Sequence, residues 1–144
     1  MIYTEQTMLA LHICFDAHKD QTDKQGLPYV FHPFHVAEQM LDEKTTAAAL
    51  LHDVVEDSHY TLDDLRRMGL DEEILTALAL LTHDDETPYM DYIAKIKPNP
   101  IAKAVKLADL RHNCDLSRLS VITEKDKDRS AKYQKALALL LDSE

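Results

Sequence analysis

The stretch Ala47–Asp57, AAALLHDVVED, interleaves one imidazole and three carboxylates with small and branched apolar residues. Read as a helix turning about 100° per residue, it puts His52, Glu56, Asp53 and Asp57 within an arc of about 140°, shared only with Ala49. The rest of the wheel, Ala47, Ala48, Leu50, Leu51, Val54 and Val55, is apolar. A helix apolar over so wide an arc belongs inside a protein, where carboxylates require a partner. That arc calls for a cation. His52 and Asp53 offer a nitrogen and an oxygen to one metal ion, and Glu56 and Asp57, one turn on, are placed to handle water or substrate. An exposed acidic stripe with a stray histidine is the plain alternative, and the wide apolar arc argues against it.

Two remote segments supply further ligands. In TDKQGLPYVFHPF, Pro28 and Pro33 flank a short YVFH segment that is expected to be extended, because a residue preceding proline avoids the helical region. Pro33 suits the first turn of a following helix, which fixes His32 at a helix entrance. His35, one turn on, is held less firmly. Further along, PIAKAVKLADLRHNCD is largely apolar until Asp109, with His112 and Asn113 three and four residues later on the same face. His32, His52, Asp53 and Asp109 make a set of two nitrogens and two oxygens from three helices. It suits one divalent ion, among manganese, iron, zinc and magnesium. A set free of thiolate leans away from a closed structural zinc site. An open metal site acidifies water, which suits attack on a phosphoester. His18 reads as a structural histidine. Tyr89 and Tyr92 read as core residues with hydroxyls at the rim, a substrate-facing role being the alternative.

The elements that must position these groups are helical. The chain has 144 residues, only two glycines and five prolines, and a composition that favours helix. Helices are expected over about 3–21 and 44–56, at Thr61 with Asp64 as a capping box and Gly69 as a stop, and after Thr87-Pro88 and Asn99-Pro100. A last one opens at the Thr123–Asp126 box. The expectation is one all-α domain over residues 1–144, a helical bundle of seven or eight helices. No apolar run is long enough to span a bilayer, and the first twenty residues do not read as a signal peptide. Cys14 and Cys114 read as reduced thiols in a cytoplasmic protein. The formal charge of −10 argues against a nucleic-acid duplex or an anionic membrane as partner, and leaves room for a small phosphorylated substrate. The sequence carries no signal for oligomeric state.

His32, His52-Asp53 and Asp109 together resemble the H…HD…D signature of the HD-domain metal-dependent phosphohydrolases. Within them, AHKDQTDKQGLPYVFHP, LLHDVVED and VKLADLRHN resemble segments of the RelA/SpoT-type (p)ppGpp hydrolase domain and of the stand-alone small alarmone hydrolases. The resemblance implies an HD-domain helical fold, a divalent ion (often manganese) and removal of the 3′-pyrophosphate from guanosine tetra- or pentaphosphate. It implies His32, His52, Asp53 and Asp109 as metal ligands and Glu56 and Asp57 as the pair that orients or activates water. It also implies that Lys24 and Asn113 contact a small nucleotide substrate. The alternatives are a nucleotidase or phosphatase for another metabolite, and a catalytically weak nucleotide-binding sensor. Asp23 stands where that branch has an arginine, so weak alarmone hydrolysis is expected, improved by Asp23→Arg.

Overall fold

Caps readable in the sequence set most helix boundaries. The computed structural model describes residues 1–115, 119 and 121–142. Thr4 and Thr7 close a capping box at the start of α1 (Glu5–His18), so this helix is shorter at both ends than the expected 3–21. Next come α2 (Phe31–Glu38) and α3 (Glu43–Leu51), the latter opened by Asp42, whose carboxylate accepts from the Thr45 amide. A single turn, α4 (Val54–Asp57), follows. The Thr61–Asp64 box opens α5 (Leu62–Met68), and Gly69, at φ +108°, ends it in the left-handed conformation that only glycine adopts freely. After α6 (Glu72–Leu81), α7 (Tyr89–Ile96) begins behind Pro88 without a side-chain cap, so Thr87 does not play the part expected of it. Asn99 caps α8 (Pro100–Cys114), and the Thr123–Asp126 box starts α9 (Glu124–Leu141). Among the described residues the fold is thus eight helices and one helical turn, with one isolated bridge between Thr22 and Pro28.

The expected all-α bundle is present, and α3 is its axis. Ala47 to Leu51 are fully buried, and α1, α2, α6 and α8 all pack on this helix. The three alanines leave room for those neighbours to approach closely, while Leu50 and Leu51 fill the gaps.

Two local expectations are corrected. The 44–56 helix is not continuous: it breaks at His52–Asp53. The His52 amide reaches only the Ala49 carbonyl, at 3.5 Å, and the His52 Nδ1–H donates to the same oxygen at 2.6 Å. A side chain competing for the carbonyl loosens the ladder there, and the helix restarts with the Asp57 amide on the Asp53 carbonyl at 3.0 Å. The YVFH segment is not extended either. Phe31 and His32 donate to the carbonyls of Pro28 and Tyr29, so the chain is already turning at Pro28. Pro33 then falls in the first turn of α2, where a missing N–H costs no hydrogen bond.

Candidate metal centre and its two chambers

Three elements bring the expected ligands to one point: the first turn of α2 carries His32, the break after α3 carries His52 and Asp53, and the middle of α8 carries Asp109. His32, His52 and Asp109 each offer a ligand atom, all within 4.8 Å of one another. Asp53 joins them through Oδ2, 3.1 Å from His52 Nε2 and 3.9 Å from His32 Nε2. Asp109 Oδ1 lies 2.8 Å from His32 Nε2 and 3.6 Å from His52 Nε2. Because Nδ1 of His52 must carry the proton it gives to the Ala49 carbonyl, its Nε2 is left to face the carboxylates. That atom is buried and has no hydrogen-bond partner. A nitrogen with a fixed tautomer, buried without a partner and opposed by two carboxylates, fits a divalent cation.

The surroundings hold these groups in place. The Tyr29 hydroxyl donates to Asp53 Oδ2. Lys106 Nζ sits 3.0 Å from Asp109 Oδ2, and Asn113 donates to Asp109 Oδ1 at 2.9 Å. His112 meets His32 through their Nδ1 atoms at 2.7 Å, and its ring stacks on exposed His35. Burial alone would raise the Asp109 pKa, but Lys106 and the two histidines outweigh it and hold the carboxyl well below the usual range. Burial likewise opposes a charged His52, yet Asp53 and Asp109 lift its pKa well above the ordinary value. In the metal-free chain the charge balance is therefore made by protons and Lys106, and an incoming ion competes with the His52 proton.

Comparison with known proteins accords with this geometry. Residues 10–79 match the family model described as "HD domain". The chain carries an HD domain. A guanosine-3′,5′-bis(diphosphate) 3′-pyrophosphohydrolase of Borreliella burgdorferi is 34% identical to it across 85% of this chain and 20% of that protein. A GTP pyrophosphokinase of Streptomyces antibioticus is 38% identical across 67% of this chain and 13% of its own length. The chain thus spans about a fifth or less of these curated relatives. The solved structure of a metazoan ortholog of SpoT, described as hydrolysing ppGpp, superposes with a TM-score of 0.80 at 25% identity, covering 99% of this chain and 89% of that one.

Two chambers flank the ligand cluster of this HD domain. The outer one, of about 480 Å³, is bounded by the loop carrying Asp23 and Lys24, by Tyr29 and His32, and by Asp126 and Arg129 of α9. The inner one, of about 230 Å³, is bounded by His52, Asp53 and Glu56 together with Tyr89, Lys106 and Lys132. Asn113 and Tyr133 belong to both walls, so the chambers meet beside the cluster.

The remaining expected residues take different places. Glu56 lies on the inner chamber, its Oε1 accepting the His83 amide, and partial burial raises its pKa above the usual glutamate value. Asp57 is exposed and lines neither chamber; desolvation and the charge of Asp53 raise its pKa. Lys24 lines the outer chamber, but its side chain is 59% exposed and its Nζ lies 3.6 Å from Asp126 Oδ1. Asn113 reaches both chambers while bound to Asp109. His18 is buried against Tyr29, its Nδ1 2.8 Å from Gln21 Oε1, outside the ligand group. Tyr92 gives its hydroxyl to the Leu81 carbonyl at 2.6 Å, as a core residue would, and its ring lines the inner chamber beside Tyr89. Asp23 lines the outer chamber, and its Oδ1 accepts from the amides of Gln25, at 2.8 Å, and Leu27, at 3.0 Å, closing its own loop. An arginine has no acceptor with which to do this.

Tyr29, His83 and Lys132 are site residues that sequence reasoning does not single out. Tyr29 lies inside the segment that carries His32, and Lys106 precedes Asp109 by three residues, a spacing that pairs charges on a helix. For His83 and Lys132 the sequence holds no comparable signal.

Proposed function

We propose that this chain is a metal-dependent phosphohydrolase that releases pyrophosphate from a guanosine nucleotide of the 3′-pyrophosphorylated kind. His32, His52, Asp53 and Asp109 would be the ligands of one divalent ion, for which the donor set suits manganese, iron, zinc or magnesium and the family resemblance puts manganese first. The observation that carries this is the buried His52 Nε2, held in place by the Nδ1–H bond to the Ala49 carbonyl and facing Asp53 and Asp109, where an ion would replace its proton. When bound, the ion supplies Lewis-acid polarisation of the phosphoryl group and a lowered pKa for water. The chain's own groups do the rest. Glu56, held by the His83 amide and raised in pKa, takes the proton of the attacking water at its free carboxylate oxygen. Asp57 acts from beside the cluster, through the field it places on Asp53, rather than on the substrate. Tyr29 orients Asp53, and Lys106 with Asn113 orients Asp109. The water oxygen bonds to the phosphorus as the P–O bond to the nucleoside breaks, and the 3′ oxygen leaves as a hydroxyl, the proton taken up by Glu56 balancing the one it gains from solvent.

Guanosine tetraphosphate enters as substrate through the activities named for the relatives and the structural neighbour, together with an outer chamber of ligand-binding size. Glu56 on the chamber wall favours turnover over a purely sensory nucleotide-binding role, because a sensor does not need a proton acceptor there. The two free cysteines support a reducing, cytoplasmic setting. The test is pyrophosphate release from guanosine tetraphosphate and a panel of other nucleotides, with manganese added. Release that stops with a chelator and falls ~10²–10⁴-fold with Glu56→Gln is expected. A purified, manganese-loaded protein that releases neither phosphate nor pyrophosphate from any nucleotide would overturn the assignment.

A further inference from the structure

The two chambers differ in size and in charge, and the difference assigns the two ends of a substrate. The inner chamber, at about 230 Å³, is below the range in which whole small-molecule ligands are held, while the outer one, at about 480 Å³, is within it. The nucleoside therefore belongs outside and a phosphate group inside.

Inside, the two carboxylates of the wall are engaged, Asp53 with His52 and Glu56 with the His83 amide, and two donors stand beside them. The Tyr89 hydroxyl is buried on the chamber wall with no hydrogen-bond partner. Lys132, eight residues from the start of α9, holds its ammonium 4.1 Å from the centre of the Tyr89 ring and makes no ion pair among the described residues. A ring face attracts that cation without neutralising it.

Outside, the charges are already matched. Lys24 Nζ and Arg129 Nη2 lie 3.6 and 3.5 Å from the same oxygen, Asp126 Oδ1. The other oxygen of Asp126 is locked by the Thr123 amide and hydroxyl, each at 2.9 Å, so the carboxylate cannot swing away. Asp115 adds a further carboxylate to that wall.

We propose that the cleft is polar in charge: the group to be released binds inside against Lys132 and Tyr89, and the outer chamber selects a nucleoside end that carries few phosphates. This rests on the phosphohydrolase assignment above and narrows its substrate class to nucleotides phosphorylated chiefly at the hydrolysed position. Tyr89 and Lys132 would be binding residues for that phosphate.

Two measurements test it on the manganese-loaded protein. The first uses inorganic pyrophosphate as a probe of the inner chamber, by calorimetric titration and independent of turnover. Lys132→Gln should weaken its binding about tenfold, the effect of one lost charge-assisted hydrogen bond. Tyr89→Phe should weaken it by a smaller factor. Thermal unfolding shows that both variants are folded, and Lys132, being exposed, is safe to replace. The second compares kcat/KM for guanosine 3′-diphosphates carrying no, one or two phosphates at the 5′ position. A fall of about twofold to fivefold with each added 5′ phosphate is expected, the effect of a like charge at a partly exposed site. Pyrophosphate binding equal in wild type and Lys132→Gln would overturn the inner assignment. A kcat/KM that rises with 5′ phosphates would overturn the outer one. A series with no turnover at all would refute the phosphohydrolase assignment instead, and the pyrophosphate titration would still decide the inner chamber.

Discussion

Replacing Asp109 by alanine should cost the metal-free protein about 3–5 kcal/mol. The structure gives the reason. Lys106 is only 13% exposed, and its nearest carboxylate oxygen is Asp109 Oδ2 at 3.0 Å. Its partial contact with the Tyr92 ring, 5.2 Å away, is too distant to replace that partner. Asp109→Ala therefore strands a buried ammonium, a change typically worth ~3–5 kcal/mol. His32 and Asn113 lose an acceptor at the same time. Lys106 can relieve part of this by giving up its proton, which favours the lower end of the range. Urea unfolding in chelator measures the loss, seen also as a fall of roughly 10 °C in Tm. Adding Lys106→Met removes the stranded charge and should restore at least ~1.5 kcal/mol, read as the coupling of a double-mutant cycle. Manganese should then stabilise wild type, by about 2.7 kcal/mol at a hundred times its Kd, and leave Asp109→Ala unchanged. If Asp109→Ala costs under ~1 kcal/mol in chelator, or if Lys106→Met restores nothing, Asp109 and Lys106 are not the coupled buried pair described.

Three other substitutions probe the remaining parts. Glu56→Gln should keep manganese affinity and lose ~10²–10⁴-fold in kcat; unchanged turnover would remove Glu56 as base. Since the Glu56 pKa is raised and the base must be deprotonated, the wild-type rate should fall as pH drops through that raised value, above where an ordinary glutamate titrates, with this acid limb absent from the residual Glu56→Gln rate. Tyr29→Phe removes a hydrogen bond to a ligand without changing ring shape, so manganese affinity measured by titration should drop ~10–100-fold; an unaltered Kd would show that Tyr29 does not hold Asp53. Asp23→Arg should open the loop over residues 22–28 to proteases and fail to improve kcat/KM for guanosine tetraphosphate, whereas Asp23→Asn, which keeps the acceptor, leaves the loop intact; a gain with arginine would return Asp23 to the substrate.

Most of the ion site is legible in the chain because burial makes polarity conspicuous. His52, Asp53 and Asp109 interrupt segments that are otherwise apolar, and helix periodicity suffices to place them inside. The caps at Thr61, Asn99 and Thr123 are local chemistry and are found where the sequence puts them. The break at His52 is less accessible, since nothing in AAALLHDVVED says that the imidazole will take the Ala49 carbonyl for itself. Asp23 misleads for a related reason: a carboxylate looks like a charge toward a ligand, but here it is an acceptor for two amides of its own loop. Lys132 and Tyr89 meet only because α7 packs on α9, a contact between segments some forty residues apart that no local pattern encodes.

The position of α9 separates reactivity from selection. Asp126, Arg129, Lys132 and Tyr133 lie along one side of this helix at three- and four-residue steps, and between them they touch both chambers. None of the four candidate ion-site residues is on it. Under the proposed function, substitutions along that single stripe would alter which molecule is accepted, while the ligands on α2, the break after α3 and α8, and Glu56 on α4, stay in place. A chain built this way can change its diet by altering one helix.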